Sequence, residues 1–259
     1  MREDYQALGL SCFGPASFLK VPITTPGAGW AADVAFLGIP FDQATGFRSG
    51  ARWGPRAIRD ISVRFSAVSA PGQPGYWDPR SGLDRATCTV VDCGDVEIVP
   101  LLWETDFEMI TGAVGAILAK GAFPLIAGGD HAVTFPCVRA FEGRGPIIVV
   151  QIDAHLDYRD EAMGVRYGHG NVLRRVRELP FDRVVSAGVR SLRTRREDAK
   201  AHQDDGVELM VERLLPEERH LDISIYRVFG EVEVAGWRAG RARPSVAVGF
   251  GGAVAGASG

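Results

Sequence analysis

The chain has 259 residues, of which 46% are hydrophobic and 24% are charged, and its formal net charge is −3 at neutral pH. This length is sufficient for one α/β domain with a sizeable core. The mild negative charge and the absence of a basic block argue against nucleic acid or an anionic membrane as the main partner. No apolar run approaches the roughly 18 residues of a membrane span, and the N-terminal stretch lacks the basic and apolar regions of a signal peptide.

Short apolar runs alternate with stretches of helical spacing along most of the chain. Residues 146–152 (PIIVVQI) are typical of a buried strand. The predicted strands are residues 33–39, 88–91, 123–127, 146–152, 184–187 and 207–211. The predicted helices are one that opens at Gly54 and Pro55 and those at residues 104–120, 131–141, 172–178 and 194–203. This alternation predicts a three-layer α/β/α fold with a mostly parallel sheet and helices on both faces.

The last stretch, residues 235–259, differs in composition from the rest of the chain. It is mainly Ala and Gly, contains Arg but no acidic residue, and shows no clean strand or helix period. Such a composition usually buries too little apolar surface to offset the entropy of ordering the chain. We therefore expect a single domain over residues 1–234, followed by a disordered tail over residues 235–259.

The four cysteines are scattered along the chain and have no CxxC spacing. They are Cys12, Cys88, Cys93 and Cys137. Such a distribution favours free thiols in a reducing compartment over a disulfide framework or a thiolate metal site. The sequence therefore predicts a cytoplasmic location.

Two polar segments follow predicted strands directly. The first ends in Gly128, Gly129, Asp130 and His131, and the second is DAHLD at residues 153–157. Because loops at the carboxyl ends of parallel strands converge on the binding crevice, both segments are expected at one edge of the sheet. The glycines would let the backbone turn tightly and bring His131 close.

The spacing of the DAHLD segment suits a metal ion. Residues two apart in extended backbone point the same way, so Asp153 and His155 can face one ion, and Asp157 can fold back once the chain turns. Imidazole with several carboxylates suits a divalent ion such as Mn(II), whereas thiolates would favour zinc. The alternative is that these side chains only cap the next helices or face solvent, but two such segments, each after an apolar strand, make this alternative weak.

Further segments complete a family resemblance. They are GIPFDQATGFRSGARWGPRAIRD at residues 38–60, YGHG at residues 167–170 and VVSAGVRSLR at residues 184–193. With GGDH and DAHLD, these segments resemble the ureohydrolases, the arginase and agmatinase family, over roughly residues 30–225. The resemblance is closest to agmatinase and implies an arginase-like fold. It also implies Mn-dependent hydrolysis of a guanidino compound to urea and an amine, a reaction of polyamine metabolism.

The resemblance implies a role for individual residues. His131, Asp153 and Asp157 would bind one Mn(II), Asp153 would also bridge to a second Mn(II), and His155 would bind that second ion. Water activated by the ions would attack the guanidinium carbon.

Residues outside the two metal segments receive weaker assignments. His169 would lie near the substrate and assist proton transfer. Asp42 and Arg48 could shape the mouth of the substrate pocket, although a solvated loop is an equal alternative. Asp130 is expected to orient its neighbours by hydrogen bonds. Three arginines are expected on a helix surface or at a subunit contact, namely Arg52, Arg56 and Arg59.

The sequence departs from the family at its third metal motif, which reads roughly S-x-D-x-D-x-x-D-P. The best candidate strand, residues 221–229, has Tyr226 and Val228 where the family has its two leading Asp residues. The C-terminal strands would then be incomplete, and we expect partial or single-metal occupancy with poor turnover. A frameshift near residues 225–231 or a natural truncation would explain the change.

Several alternatives remain open at this point. Agmatine, guanidinobutyrate and other guanidino acids are not separated as substrates. A non-catalytic metal-binding or oligomerisation subunit is an alternative function. A deacetylase-like hydrolase is a further alternative, although those enzymes use one zinc and different His-rich motifs. The resemblance also implies a homo-oligomer, either a trimer or a hexamer.

Overall fold

The computed structural model of the protein describes residues 15–65, 76–80, 82–85, 88–210 and 245–251. The chain divides into two compact units, residues 1–140 and residues 141–259, which are described in turn. Among the described residues, no helix has both the length and the apolar character needed to cross a membrane.

The first unit is built on a parallel sheet of three strands. Strand β1 (Val34–Ile39) lies between β4 (Val90–Asp95) and β5 (Phe123–Gly128). Five of the six β1 residues are buried, as expected for the central strand of a covered sheet. Gly38 pairs with Asp95 on one side and with Ala127 on the other, so the three carboxyl ends lie at the same edge. An antiparallel pair, β2 (Tyr76–Asp78) and β3 (Leu83–Arg85), is separate from this sheet.

Three helices belong to the first unit. They are α1 (Gly54–Ser62), α2 (Trp103–Ala119) and α3 (Thr134–Arg139). Helix α1 has Pro55 in its first turn, where the missing N–H costs no hydrogen bond. Helix α2 buries apolar side chains that recur at helical spacing, namely Phe107, Ile110, Val114 and Ile117.

The second unit contains a parallel sheet of four strands in the order β8-β7-β6-β9. Strand β6 (Ile147–Asp153) is inside the sheet, beside β7 (Arg183–Ala187). Helix α4 (Val172–Arg177) connects β6 to β7, and α5 (Arg196–Asp204) connects β7 to β8 (Glu208–Met210). This strand–helix alternation and the parallel pairing confirm the predicted α/β class.

Strand β9 (Ser245–Gly251) lies in the stretch for which composition predicted disorder. It pairs with β6 in parallel over its whole length, from Ser245 opposite Ile147 to Gly251 opposite Asp153. The backbone hydrogen bonds to β6 supply stabilisation that the composition of an isolated tail does not reveal.

Arg59 on α1 is buried, so the expectation of a surface or subunit-contact role is wrong for this residue. Its guanidinium donates to both carboxylate oxygens of Asp92, at 2.8 and 2.9 Å, and to Asp95 at 2.5 Å. It also lies 4.8 Å from the centre of the Phe36 ring. Arg59 therefore links helix α1 to strand β4 by hydrogen bonds in the interior of the first unit.

Candidate metal-binding site

The GGDH segment begins where β5 ends and is bonded to the loop after β1. The Gly129 N–H donates to the Ile39 carbonyl at 3.0 Å, and the Asp130 N–H donates to the Phe41 carbonyl at 2.8 Å. His131 then opens a single 3-10 turn, His131–Val133. The backbone around His131 is thus fixed by hydrogen bonds on two consecutive residues that precede it.

Asp130 organises the two loops from its side chain. One carboxylate oxygen accepts from the Ala132 N–H at 2.8 Å and caps the turn that contains His131. The other accepts from the Ala44 N–H, on the loop after β1, at 2.9 Å. This geometry confirms the prediction that Asp130 orients its neighbours.

Close approach, and not an unusual backbone angle, explains the glycine at position 129. Gly128 and Gly129 both lack a positive φ, so their backbone conformation does not require glycine. A Cβ added at Gly129 would overlap the carbonyl oxygen of Phe41 and would lie 2.8 Å from its nitrogen. The sequence predicted that a tight turn requires these glycines. The structure shows instead that Gly129 allows its loop to pack closely against the loop after β1.

Replacing Gly129 by Ala is expected to lower the free energy of unfolding by about 1–3 kcal/mol, because the backbone of Phe41 must move to make room. Chemical denaturation would measure this loss. Gly112→Ala is the matched control, since nothing lies within 4 Å of its added Cβ on the exposed side of α2. There, Ala should stabilise the helix by about 0.5–1 kcal/mol. Equal stability of the Gly129→Ala variant and the parent would contradict the packing argument.

The DAHLD segment begins with the last residue of β6. Asp153 is buried, and its carboxylate accepts from the His155 N–H at 2.8 Å. The same oxygen lies 3.1 Å from the His155 Nδ1. Asp157 has a φ of 47°, so the chain turns sharply there, as the folding-back of this residue requires. Its carbonyl accepts from the Leu173 N–H at 3.2 Å, which anchors the segment to α4.

His131, Asp153 and Asp157 are the predicted ligand group for one metal ion. Asp153 and Asp157 belong to the second unit, and His131 belongs to the first. The donor set is one imidazole with two carboxylates and no thiolate, which fits Mn(II) better than a structural zinc. His155 is outside this group, and its ring is half exposed beside Asp153. Its assignment to a second ion stays a prediction.

His169 is exposed and lies on the loop of residues 167–170 that precedes α4. The loop is held by Asn171, which is buried. The Asn171 side chain accepts from the Gly168 N–H at 3.2 Å and donates to the Arg159 carbonyl at 3.0 Å. Sequence reasoning did not single out Asn171. An Asn directly before a helix is a cap signal, but the Asn171 side chain makes no cap hydrogen bond to α4 and holds the preceding loop instead. The proton-transfer role of His169 stays a prediction.

Asp42 is buried and acts within its own loop. Its carboxylate accepts from the Gly50 N–H and from the Arg52 Nε, each at 2.7 Å. The hydrogen bond from Arg52 is the main reason that the pKa of Asp42 is lowered. Arg48 is exposed, with its guanidinium 5.4 Å from the centre of the Phe47 ring. Asp42 thus shapes the loop from inside, and a contact of Asp42 or Arg48 with substrate stays a prediction.

Gln43 and Asp106 are two further residues that sequence reasoning missed. Asp106 is fully buried at the start of α2, where it accepts from the Gln43 side chain at 2.9 Å and from the Val99 N–H at 2.7 Å. Gln43 also accepts from the Leu101 N–H at 2.9 Å. These bonds join the loop after β1 to the loop after β4. No motif marks them, because the partners are far apart in sequence.

A family model described as the arginase family matches residues 32–220. The chain belongs to the arginase family. It is 33% identical over 203 residues to the mitochondrial guanidino acid hydrolase of Homo sapiens, an alignment that covers 76% of this chain and 54% of the relative. It is 33% identical over 223 residues to the mitochondrial agmatinase of Gallus gallus, covering 85% of this chain and 61% of the relative.

The fold is similar to that of solved family members. The structure of proclavaminate amidinohydrolase from Streptomyces clavuligerus matches with a TM-score of 0.63 at 29% identity, covering 78% of this chain and 65% of that one. The arginase-family resemblance is confirmed. The matches to the two curated relatives above span 54% and 61% of their lengths.

Proposed function

We propose that this protein hydrolyses a guanidino compound to urea and an amine, with Mn(II) held by His131, Asp153 and Asp157. The observation that carries the proposal is the DAHLD segment, in which buried Asp153 ends strand β6 and the chain turns sharply at Asp157, in a chain of the arginase family. The alternative function is a non-catalytic subunit. It depends on the loss of metal-binding carboxylates within residues 221–234, which lie outside the described residues.

Individual residues of this chain would have different roles in the proposed reaction. A bound divalent ion supplies Lewis acidity, which lowers the pKa of water toward neutrality. Asp153 is already oriented by the His155 N–H, so its carboxylate needs little reorganisation to bind a cation. His155 would bind a second Mn(II), and the exposed His169 would take up or deliver a proton at its imidazole ring.

Partial metal occupancy remains part of the proposal. The third metal motif would fall in residues 221–229, outside the described residues, where Tyr226 and Val228 replace the expected carboxylates. Fewer carboxylates neutralise two dications less well, so we expect at most one tightly held Mn(II) per chain. Two tightly held ions per chain, measured by elemental analysis after extensive dialysis, would contradict this expectation.

A urea assay tests the proposed reaction. Agmatine, 4-guanidinobutyrate and arginine are each incubated with the full chain, with added Mn(II) or with a chelator. We expect slow urea release from agmatine or from the guanidino acid, dependent on Mn(II), and the least release from arginine. Absence of urea from all three substrates at saturating Mn(II) would overturn the proposed activity.

The homo-oligomer and the cytoplasmic location are also proposals. Oligomerisation rests on the family resemblance alone, and sedimentation velocity would measure it directly, with a monomer at micromolar concentration as the contrary result.

The cytoplasmic location rests on the scattered thiols, of which Cys88, Cys93 and Cys137 are free. Burial raises the pKa of Cys93 to about 11, which makes this thiol unreactive at neutral pH. Fractionation of the source cells would test the location.

A further inference from the structure

Tyr158 directly follows the DAHLD segment, and its side chain is buried. Its ring contacts two helices of the second unit. It packs edge-to-face on His202 of α5, with the ring centres 5.0 Å apart, and it lies 5.8 Å from the guanidinium carbon of Arg174 on α4. Its hydroxyl donates to the carboxylate of Asp205, directly after α5, at 2.7 Å. The Tyr158 side chain thus joins the end of DAHLD to both helices.

Asp157, the residue before Tyr158, has a backbone conformation that costs free energy. Its φ of 47° is in the left-handed region, where the Cβ of an L-residue lies too close to the following carbonyl oxygen. Such a conformation persists only where the surrounding structure holds it. Asp153 needs no such support, because it ends a strand that is paired on both sides. Of the two carboxylates of DAHLD, Asp157 is therefore the one whose backbone depends on contacts with other elements.

The turn at Asp157 is held by bonds on three consecutive residues. The Asp157 carbonyl accepts from the Leu173 N–H, and the Arg159 N–H donates to the Gly170 carbonyl, each at 3.2 Å. Both are backbone bonds, and they connect the turn to α4 and to the loop before it. Between them, the Tyr158 hydroxyl connects the turn to the end of α5, which these two bonds do not reach.

The hydroxyl adds something that packing alone does not. A phenylalanine ring would fill the same buried space, but a hydrogen bond also fixes the distance and the direction to one acceptor. Because a peptide bond joins Asp157 to Tyr158, a shift of the Tyr158 backbone changes the backbone angles of Asp157. Metal affinity depends on partners that hold the ligands in their binding orientation.

From this we infer that Tyr158 is a positioning residue for Asp157. Its hydrogen bond to Asp205 holds the left-handed turn in the conformation in which Asp157 binds the metal ion. The inference rests on the proposed function, because that proposal makes Asp157 a metal ligand. It assigns to Tyr158 and Asp205 a role in metal binding although neither is a ligand.

A titration of the full chain with Mn(II) tests this role, with free Mn(II) followed by its electron paramagnetic resonance signal well below the melting temperature. Tyr158→Phe removes only the hydroxyl. We expect its Mn(II) affinity to fall about tenfold, the lower end of the effect of losing a partner that orients a ligand. Asp205→Ala should cause the same loss. The double variant should lose no more than either single variant, because all three remove one and the same hydrogen bond.

Two variants are matched controls. Asp205→Asn removes the charge of Asp205 but keeps an oxygen that can accept from the Tyr158 hydroxyl, so its Mn(II) affinity should stay close to that of the parent. Val184→Ala removes buried methyl groups near the start of β7, where Val184 pairs with Val149 and not with a residue of DAHLD. It lowers the stability of the same unit and should leave the Mn(II) affinity unchanged.

Hydrogen exchange in the metal-free chain measures the hold on the turn directly. Tyr158→Phe should speed the exchange of the Arg159 and Leu173 amides, whose bonds flank the Tyr158 side chain. Val184→Ala should speed it less, because it removes no bond of the turn.

The outcomes separate this inference from the proposed function. An unchanged Mn(II) affinity in Tyr158→Phe, or a loss that Val184→Ala reproduces, would overturn the positioning role. Urea release together with that result would leave the proposed function standing. Mn(II) binding that depends on Tyr158, without any urea release, would reject the activity and keep the positioning role. If the parent binds no Mn(II), the proposed function fails, and the exchange rates alone decide whether Tyr158 holds the turn.

Discussion

Replacing Asp153 by Asn is expected to lower the affinity for Mn(II) by at least about 100-fold. Loss of a partner that only orients a ligand typically costs about 10–100-fold, and Asp153 is itself a candidate ligand. Asparagine keeps the shape of the side chain and an oxygen that can accept the His155 N–H, so the fold should survive. The measurements are the Mn(II) content of the dialysed chain and the rise in melting temperature on adding Mn(II), which ligand binding to the folded state produces.

Glu161→Gln is the matched control for this experiment. Glu161 is an exposed carboxylate on the loop that follows DAHLD, and it has no ion pair among the described residues. Its replacement removes the same charge and should leave the Mn(II) response unchanged. If Glu161→Gln weakens binding as much as Asp153→Asn, the response reflects general negative charge, and the proposed ligand role of Asp153 is wrong.

The part of the candidate site that sequence could predict is the part encoded locally. GGDH and DAHLD each follow an apolar strand, as expected, but the expectation of a single shared sheet is wrong, because β5 and β6 belong to two different parallel sheets. The alternation of strands and helices was enough to predict the α/β class. These predictions depend on neighbours in sequence, where periodicity and composition carry information.

The contacts that sequence could not predict join residues that are distant in the chain. Asp106 bonds Gln43 across 63 positions, and Arg59 bonds Asp92 across 33 positions. Nothing near Arg59 in sequence distinguishes it from Arg56, which is exposed on the same helix. Only the packing of α1 against β4 decides which guanidinium is inside. Strand β9 is a similar case, because its stabilisation comes from the backbone of β6 and not from its own composition.

Substituting Leu for Arg59 is expected to lower the free energy of unfolding by about 3–5 kcal/mol at pH 7, because it leaves a buried carboxylate without its cation. Asp92 is only 1% exposed. Urea denaturation would measure the change. Arg56→Leu is the matched control on the same helix. Arg56 lies 3.9 Å from Asp60, with both side chains largely exposed, and loss of such a pair costs less than about 1 kcal/mol. Equal costs for the two variants would contradict the assignment of Arg59 to the interior.

The pH dependence of the two proteins should have opposite signs. In the parent, burial alone would raise the pKa of Asp92, but hydrogen bonds from Arg59 and from the Phe18 and Gly94 N–H groups outweigh it and lower the pKa. The stabilisation is therefore complete above the ordinary aspartate pKa of about 4 and is lost as the pH falls below it. In the Arg59→Leu variant, burial would dominate and raise the pKa of Asp92. The carboxylate would then be protonated at a higher pH, and the deficit relative to the parent should shrink between pH 7 and pH 4.5. A deficit that stays constant over this range would show that the lost stability comes from packing and not from the unpaired charge.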